Sequence, residues 1–189
     1  MATQALPYVT LEQYLEQEER AETPSEYWQG EVFPMIVGGP RHALIIANLF
    51  GFVRPAAREK KYLPYGGARL RVSETGLYTY PDITVVCGPA QYTDDRKGTL
   101  TNPKLIFEVL SDSTEDYDRG RKFQRYRSLP SLTEYVAVAQ RSAHVEHYLR
   151  QSDNRWLITE VEGLHQTIRI ETLDCDLPLS AIYEDVEFD

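Results

Sequence analysis

Two near-continuously apolar runs, 82–87 (Asp-Ile-Thr-Val-Val-Cys) and 105–110 (Leu-Ile-Phe-Glu-Val-Leu), most constrain how this chain folds. Short runs of this kind, rich in β-branched residues and without polar alternation, read as strands covered on both faces. Each nevertheless carries an acid, Asp82 at the start of the first and Glu108 inside the second. Two carboxylates at the ends of adjacent buried strands cost several kcal/mol to desolvate. Chains tolerate that mainly where something cationic, usually a metal, sits between the acids. Lys122 follows a helix's length downstream, inside the basic run 116–127 (DYDRGRKFQRYR). The combination points to metal-assisted hydrolysis, and the neighbouring cations to a phosphate substrate.

At 189 residues the chain has room for one sizeable core, and it reads as a single domain spanning 1–189. The hydrophobic content of 42% and charged content of 26% mark a globular rather than disordered chain. No apolar run is long enough to span a bilayer. The first residues show neither the basic nor the apolar segment of a secretory signal. With only Cys87 and Cys175 a disulfide framework is not expected, which favours a reducing, cytoplasmic setting, and Cys87 reads as a small buried hydrophobe. The net charge of −9 argues against a broad basic surface for nucleic acid. It leaves room for a small basic cleft assisted by a divalent cation, with salt-sensitive binding unless a dimer concentrates positive charge.

Along the chain, Thr10-Leu11-Glu12-Gln13 matches a capping box that opens a helix to about Arg20. Residues 26–33 look like a strand with a tight bend at Gly30. After Gly38-Gly39, Pro40 suits a helix start, and Ala43, Ile46, Ala47, Leu49, Phe50 and Val53 supply an apolar face to about Arg54. Residues 68–72 alternate as a half-buried strand does. Ser113 or Thr114 caps a helix to about Ser128, stopped by Pro130. A strand follows at 134–138. Then 143–150, 155–161 and 166–171 form an antiparallel meander, and 179–183 a closing helical turn. The order gives an α/β (α+β) fold: a central mixed β-sheet flanked by helices, with a C-terminal antiparallel β meander.

In ordered form, the chain carries Glu26, Gly30-Glu31, His42, Pro81-Asp82, Glu108-Val109-Leu110-Ser111, Asp118, Lys122, Tyr126 and Glu134-Tyr135. This set resembles a family of short bacterial proteins classed as restriction endonucleases, within the PD-(D/E)XK, restriction-endonuclease-like nuclease superfamily, and the similarity covers almost the whole chain. The resemblance implies a restriction-endonuclease-like core, DNA as substrate, and Asp82 and Glu108 as metal ligands. Leu110 stands where the superfamily lysine usually stands, and the resemblance implies that Lys122 fills its role from the next helix.

The residue chemistry agrees. Asp82 and Glu108 offer hard oxygens suited to Mg²⁺ or Mn²⁺, and the Val109 carbonyl adds a third. Lys122 would orient the attacking water or neutralise charge on the phosphorane. Glu26 reaches the metal through water or serves a second metal. His42 lies near the site through its helix start, or is a surface capping histidine. The rival readings are a structural salt bridge from Glu108 to Lys122 or Arg121, and a solvated basic face at 119–127. His144 and His147 fall on opposite strand faces and make a poor metal pair. The leading function is a Mg²⁺-dependent homodimeric DNA endonuclease. The alternatives are a non-catalytic dimeric nucleic-acid or protein binding module on the same fold, and a phosphoesterase acting on RNA or a small molecule.

Overall fold

The two apolar runs become adjacent strands in which every residue is buried, Ile83–Val86 and Leu105–Leu110. The computed structural model describes residues 8–35, 38–72, 76–93, 98–110 and 122–188. Its elements are α1 (Leu11–Glu18), β1 (Ser25–Trp28), β2 (Glu31–Pro34), α2 (Pro40–Glu59), β3 (Leu63–Gly66), β4 (Leu70–Val72), β5 (Leu77–Thr79), β6 (Ile83–Val86) and β7 (Leu105–Leu110). They continue with α3 (Phe123–Tyr126), β8 (Glu134–Ala139), β9 (His144–Arg150), β10 (Trp156–Glu162), β11 (Thr167–Ile170), β12 (Cys175–Pro178) and α4 (Leu179–Ile182).

A six-stranded mixed sheet in the order β10-β9-β8-β7-β6-β3 forms the centre. Its one parallel pair, β7 with β8, sets Glu108 against Ala137, and its other pairs are antiparallel. A parallel pair needs a crossover, and α3 lies within it. Alternation splits the sheet's contacts between two cores. Ile83, Val85, Leu105, Phe107 and Val109 face α2, α4 and the β11–β12 ribbon. Val86, Ile106, Leu110, Tyr135 and Ala137 face α3 and the second sheet, ordered β2-β1-β5-β4. Glu108 shares the parity of Ile106 and Leu110, so it points toward α3.

The capping box is present, with the Thr10 side chain accepting from the Gln13 amide and the Gln13 side chain from Thr10. Gln29 and Gly30 both have positive φ, so the bend expected at Gly30 is the two-residue turn of the β1–β2 hairpin. Helix α2 outruns its expected end. Pro55 lies on its exposed side, while Ile45, Leu49, Val53 and Ala57 form the buried stripe. Ala43 and Ala47, expected on the apolar face, are exposed, because the i, i+4 row actually packed on the sheet starts at Ile45.

Two further details differ from expectation. Cys87 lies just past β6 and is exposed, since the chain leaves the sheet at Val86. The strand at the end of the expected meander, β11, pairs with β12 in its own ribbon rather than extending the sheet. The start of the helix expected from Ser113 or Thr114, and Asp118, Arg119 and Arg121 with it, lie outside the described residues; α3 is its described end.

A buried acid ties the ribbon to the sheet. Glu134 is fully buried at the start of β8. It accepts from His147 Nε2 at 2.6 Å and from the Glu171 and Thr172 amides at 2.9 and 2.8 Å. Burial alone would raise its pKa, but the bonds from His147 and Thr172 outweigh it and hold the carboxyl below its ordinary 4.5. A depressed folded-state pKa contributes stability above the unfolded value, and that stability is lost as pH falls through the folded value. Glu134→Gln should therefore lower stability by about 3–5 kcal/mol at neutral pH. In thermal melts the gap to wild type should narrow as pH drops below 4.5. A gap that ignores pH would rule out the charged form of Glu134 as the tether.

Candidate active site

The site lies where β6 begins and β7 ends. One step beyond the register pair Ile83 and Phe107, Asp82 falls opposite Glu108. The Asp82 carboxylate accepts from the Val109 amide at 2.7 Å, so it is fastened to the residue after Glu108. Pro81 fixes the turn into the strand and Asp82 is only partly covered. The Val109 carbonyl meets His42 Nε2 at 3.1 Å, and a carbonyl only accepts, so Nε2 carries the hydrogen. That nitrogen is also 3.7 Å from Asp82 Oδ2. Pro40 at the first helical position and Gly39 as N-cap start α2 so that His42, in its first turn, reaches this end of the sheet.

Glu108 is 3% exposed and Lys122 5%. The lysine Nζ lies 2.9 Å from Glu108 Oε1 and 3.5 Å from Glu26 Oε1. Alternation along β1 puts Glu26 and Trp28 on one side and Tyr27 on the other, in a tyrosine cluster with Tyr14 and Tyr78. Glu26 also accepts a short hydrogen bond from the Thr79 hydroxyl on β5. Tyr126, one helical turn after Lys122, donates to Glu108 Oε1 at 2.8 Å. Burial, and then the neighbouring Glu108 charge, push the Tyr126 hydroxyl well above its ordinary pKa, so it stays protonated and donates. Arg125, stacked 3.8 Å over the Trp28 ring, fastens α3 to β1.

Asp82, Glu108, Val109, Lys122, Glu26 and His42 are thus brought to one end of the central sheet, in two linked groups joined through β7. Lys104 stays at the other end of that strand, where its backbone pairs with Val85 and Thr133. Sequence reasoning missed Thr79 and the hydroxyl role of Tyr126. Tyr126 is among the residues read from the sequence, one turn after Lys122, but its bond to Glu108 depends on how α3 packs on β7. Nothing local marks Thr79, which reaches Glu26 only through the pairing of β1 with β5. Glu146 was missed as well; it is buried two strands from Glu108 and accepts from the Tyr148 hydroxyl at 2.6 Å.

Comparison with known proteins bears on the whole arrangement. Residues 11–181 match the Uma2 family, described as "Putative restriction endonuclease". An uncharacterised protein of Synechocystis sp. is 36% identical over 156 residues, 82% of this chain and 88% of that protein. A second, from the same organism, is 31% identical over 185 residues, 96% and 95% of the respective chains. A crystal structure from Anabaena variabilis, described as "a putative nuclease belonging to DUF820", superposes with a TM-score of 0.76 at 14% identity. It covers 92% of this chain and 97% of that one, and it shows the restriction-endonuclease-like fold.

The buried ammonium is the site's structural hinge. Lys122→Met should destabilise the protein by about 3–5 kcal/mol, because Glu26 and Glu108 lose the cation between them. Adding Glu108→Gln should recover part of that loss. Denaturant unfolding of the single and double variants checks both. Equal stability of Lys122→Met and wild type would mean that the ion pair contributes nothing.

Proposed function

This chain belongs to the Uma2 family, and from that premise we propose that it is a Mg²⁺- or Mn²⁺-dependent endonuclease that hydrolyses DNA phosphodiester bonds as a homodimer. The supporting observation is that Asp82 and Glu108 meet across β6 and β7, with the Lys122 ammonium 2.9 Å from Glu108. The donors on offer, two carboxylates and the Val109 carbonyl, are all hard oxygens, which suits Mg²⁺ or Mn²⁺. Among the described residues no three His, Cys, Asp or Glu side chains group as a ligand set. Two protein carboxylates with several waters is a usual arrangement for Mg²⁺. Asp82, Glu108 and Val109 would hold it, and when bound it would supply Lewis acidity toward a phosphate oxygen and toward water.

The protein's own residues prepare the rest. The Val109 amide fixes one Asp82 oxygen, and His42 steadies the peptide beyond it. Tyr126, kept protonated by burial, orients Glu108. Lys122, steered by Glu26 and Glu108, aligns the attacking water or offsets charge growing on the phosphorane during in-line attack. The direct contact of Lys122 with Glu108 favours a second reading, in which the pair is structural and the fold serves as a dimeric binding module.

Calorimetric titration with Mg²⁺ and Mn²⁺ separates the two. The nuclease reading expects binding by wild type, loss of that binding in Asp82→Ala with the fold intact, and DNA cleavage lost in Asp82→Ala and Glu108→Gln. Wild type that binds neither ion, even with an oligonucleotide present, would leave the binding module. Sedimentation of the purified protein tests the dimer.

A further inference from the structure

A second basic feature lies on the α3 side of the central sheet, away from the acids. A cleft of about 700 Å³ opens there between the end of α3 and the β9–β10 turn, lined by Gln124, Arg127, Ser128, Arg150, Asn154 and Trp156. Its lining contains no acidic side chain. Arg150 is built in rather than loosely exposed. Its guanidinium lies 4.8 Å over the Trp156 ring and donates to the Arg127 and Leu129 carbonyls at 2.5 and 2.9 Å and to Asn154 Oδ1 at 3.3 Å. Its Nε is buried without a partner. All these acceptors are neutral, and burial presses its pKa downward. Trp156 is itself fixed, edge-on to Phe123 at 5.2 Å.

Arg127 adds a second guanidinium, exposed at the rim. Among the described residues no carboxylate comes within ion-pair distance of either arginine. The acid nearest in sequence, Asp153, is taken by Arg155 at 2.5 Å. Two guanidiniums without a counter-ion, with amide and hydroxyl groups beside them, form a site for an anion with several acceptor oxygens.

The placement says which anion. Arg150 follows Leu149, which faces Glu134, and Ala137, which faces Glu108, is three residues further along β8. At about 3.3 Å per residue along the strands and about 4.8 Å between them, with Glu108 and Arg150 two strands apart, the cleft lies roughly 16 Å from Glu108. Each strand of a DNA duplex advances about 3.4 Å per nucleotide along its axis, so the cleft lies a few nucleotide steps from a bond held at Glu108. We propose that the Arg127–Arg150 cleft is a DNA-backbone subsite that receives a phosphate a few nucleotide steps from the scissile one. The proposal rests on the nuclease reading for its choice of ligand.

The test measures affinity for a labelled duplex of mixed sequence, and for one of its single strands, across a range of salt without divalent cation. Each phosphate contact contributes about −0.9 to the slope of log K against log salt for duplex and about −0.7 for a single strand. Arg127→Ala should make the duplex slope shallower by about 0.9, and Arg150→Gln by a similar step. The form whose slope falls by its own full step, about 0.9 for duplex or about 0.7 for a single strand, is the occupant. In cleavage assays Arg127→Ala should raise KM and leave kcat unchanged, while Asp82→Ala should abolish cleavage yet keep the wild-type slope. Should Arg150→Gln fail to fold, Arg127→Ala decides alone, because no contact in the described fold depends on its side chain. A wild-type slope in Arg127→Ala, or no binding of either DNA by wild type, overturns the subsite. No cleavage by wild type with Mg²⁺ or Mn²⁺ would overturn the nuclease reading instead and leave the slope to judge the subsite.

Discussion

The ion pair between Glu108 and Lys122 is the constraint from which the rest of this end of the molecule follows. A glutamate inside an apolar central strand is costly unless its charge is answered where it lies. Here the answer comes from outside the sheet, through Lys122 and the Tyr126 hydroxyl. Both belong to the same short helical stretch, so meeting the demand of one carboxylate fixes where α3 must sit. The position of α3 in turn brings Arg125 onto Trp28 and Lys122 within reach of Glu26. The second sheet is therefore joined to the first through charged and cation–π contacts as well as through the apolar cluster between them.

Glu134 shows the opposite solution to the same problem. It is as deeply buried as Glu108, but its partners are a histidine and two backbone amides. Backbone amides cannot leave or change protonation, and the result is a closed joint between β8 and the ribbon. Glu108 is instead answered by a lysine and a tyrosine, side chains that can turn toward a ligand. It stands beside a further carboxylate, Asp82, that is only partly covered. Burial of an acid thus does not separate structure from chemistry, but the nature of the groups that answer it does.

Much of this was legible in the sequence. The paired apolar runs, the capping box of α1 and the turn at Gly30 all rest on local sequence patterns. What was not legible depends on long-range pairing. Thr79 meets Glu26 because β5 pairs with β1, and Glu134 meets Thr172 because the ribbon folds back. The stripe of α2 was misplaced because Ala43 and Ala47 suit an apolar face or a solvent face equally well. Only contact with the sheet selects the row beginning at Ile45. Cys87 was misplaced for a related reason: hydrophobic type continues past the point where the strand stops.

The charge balance also acquires a spatial meaning. A chain with net charge −9 is repelled overall by a polyanion. Affinity for DNA would then have to come from places where cations lack acidic neighbours. Near Glu108 the described acids and the lysine lie together, and Arg169 and Lys60 are both paired with Asp174. Arg127 and Arg150 share a cleft whose lining holds no acidic side chain, two strands across the sheet from Glu108. Screening at physiological salt extends about 8 Å, so a local basic cleft is felt by a phosphate seated in it while the distant acidic surface is largely screened. On the nuclease reading the acidic composition would work as a filter: it would weaken non-specific attraction over the whole surface and leave binding to local basic positions such as this cleft.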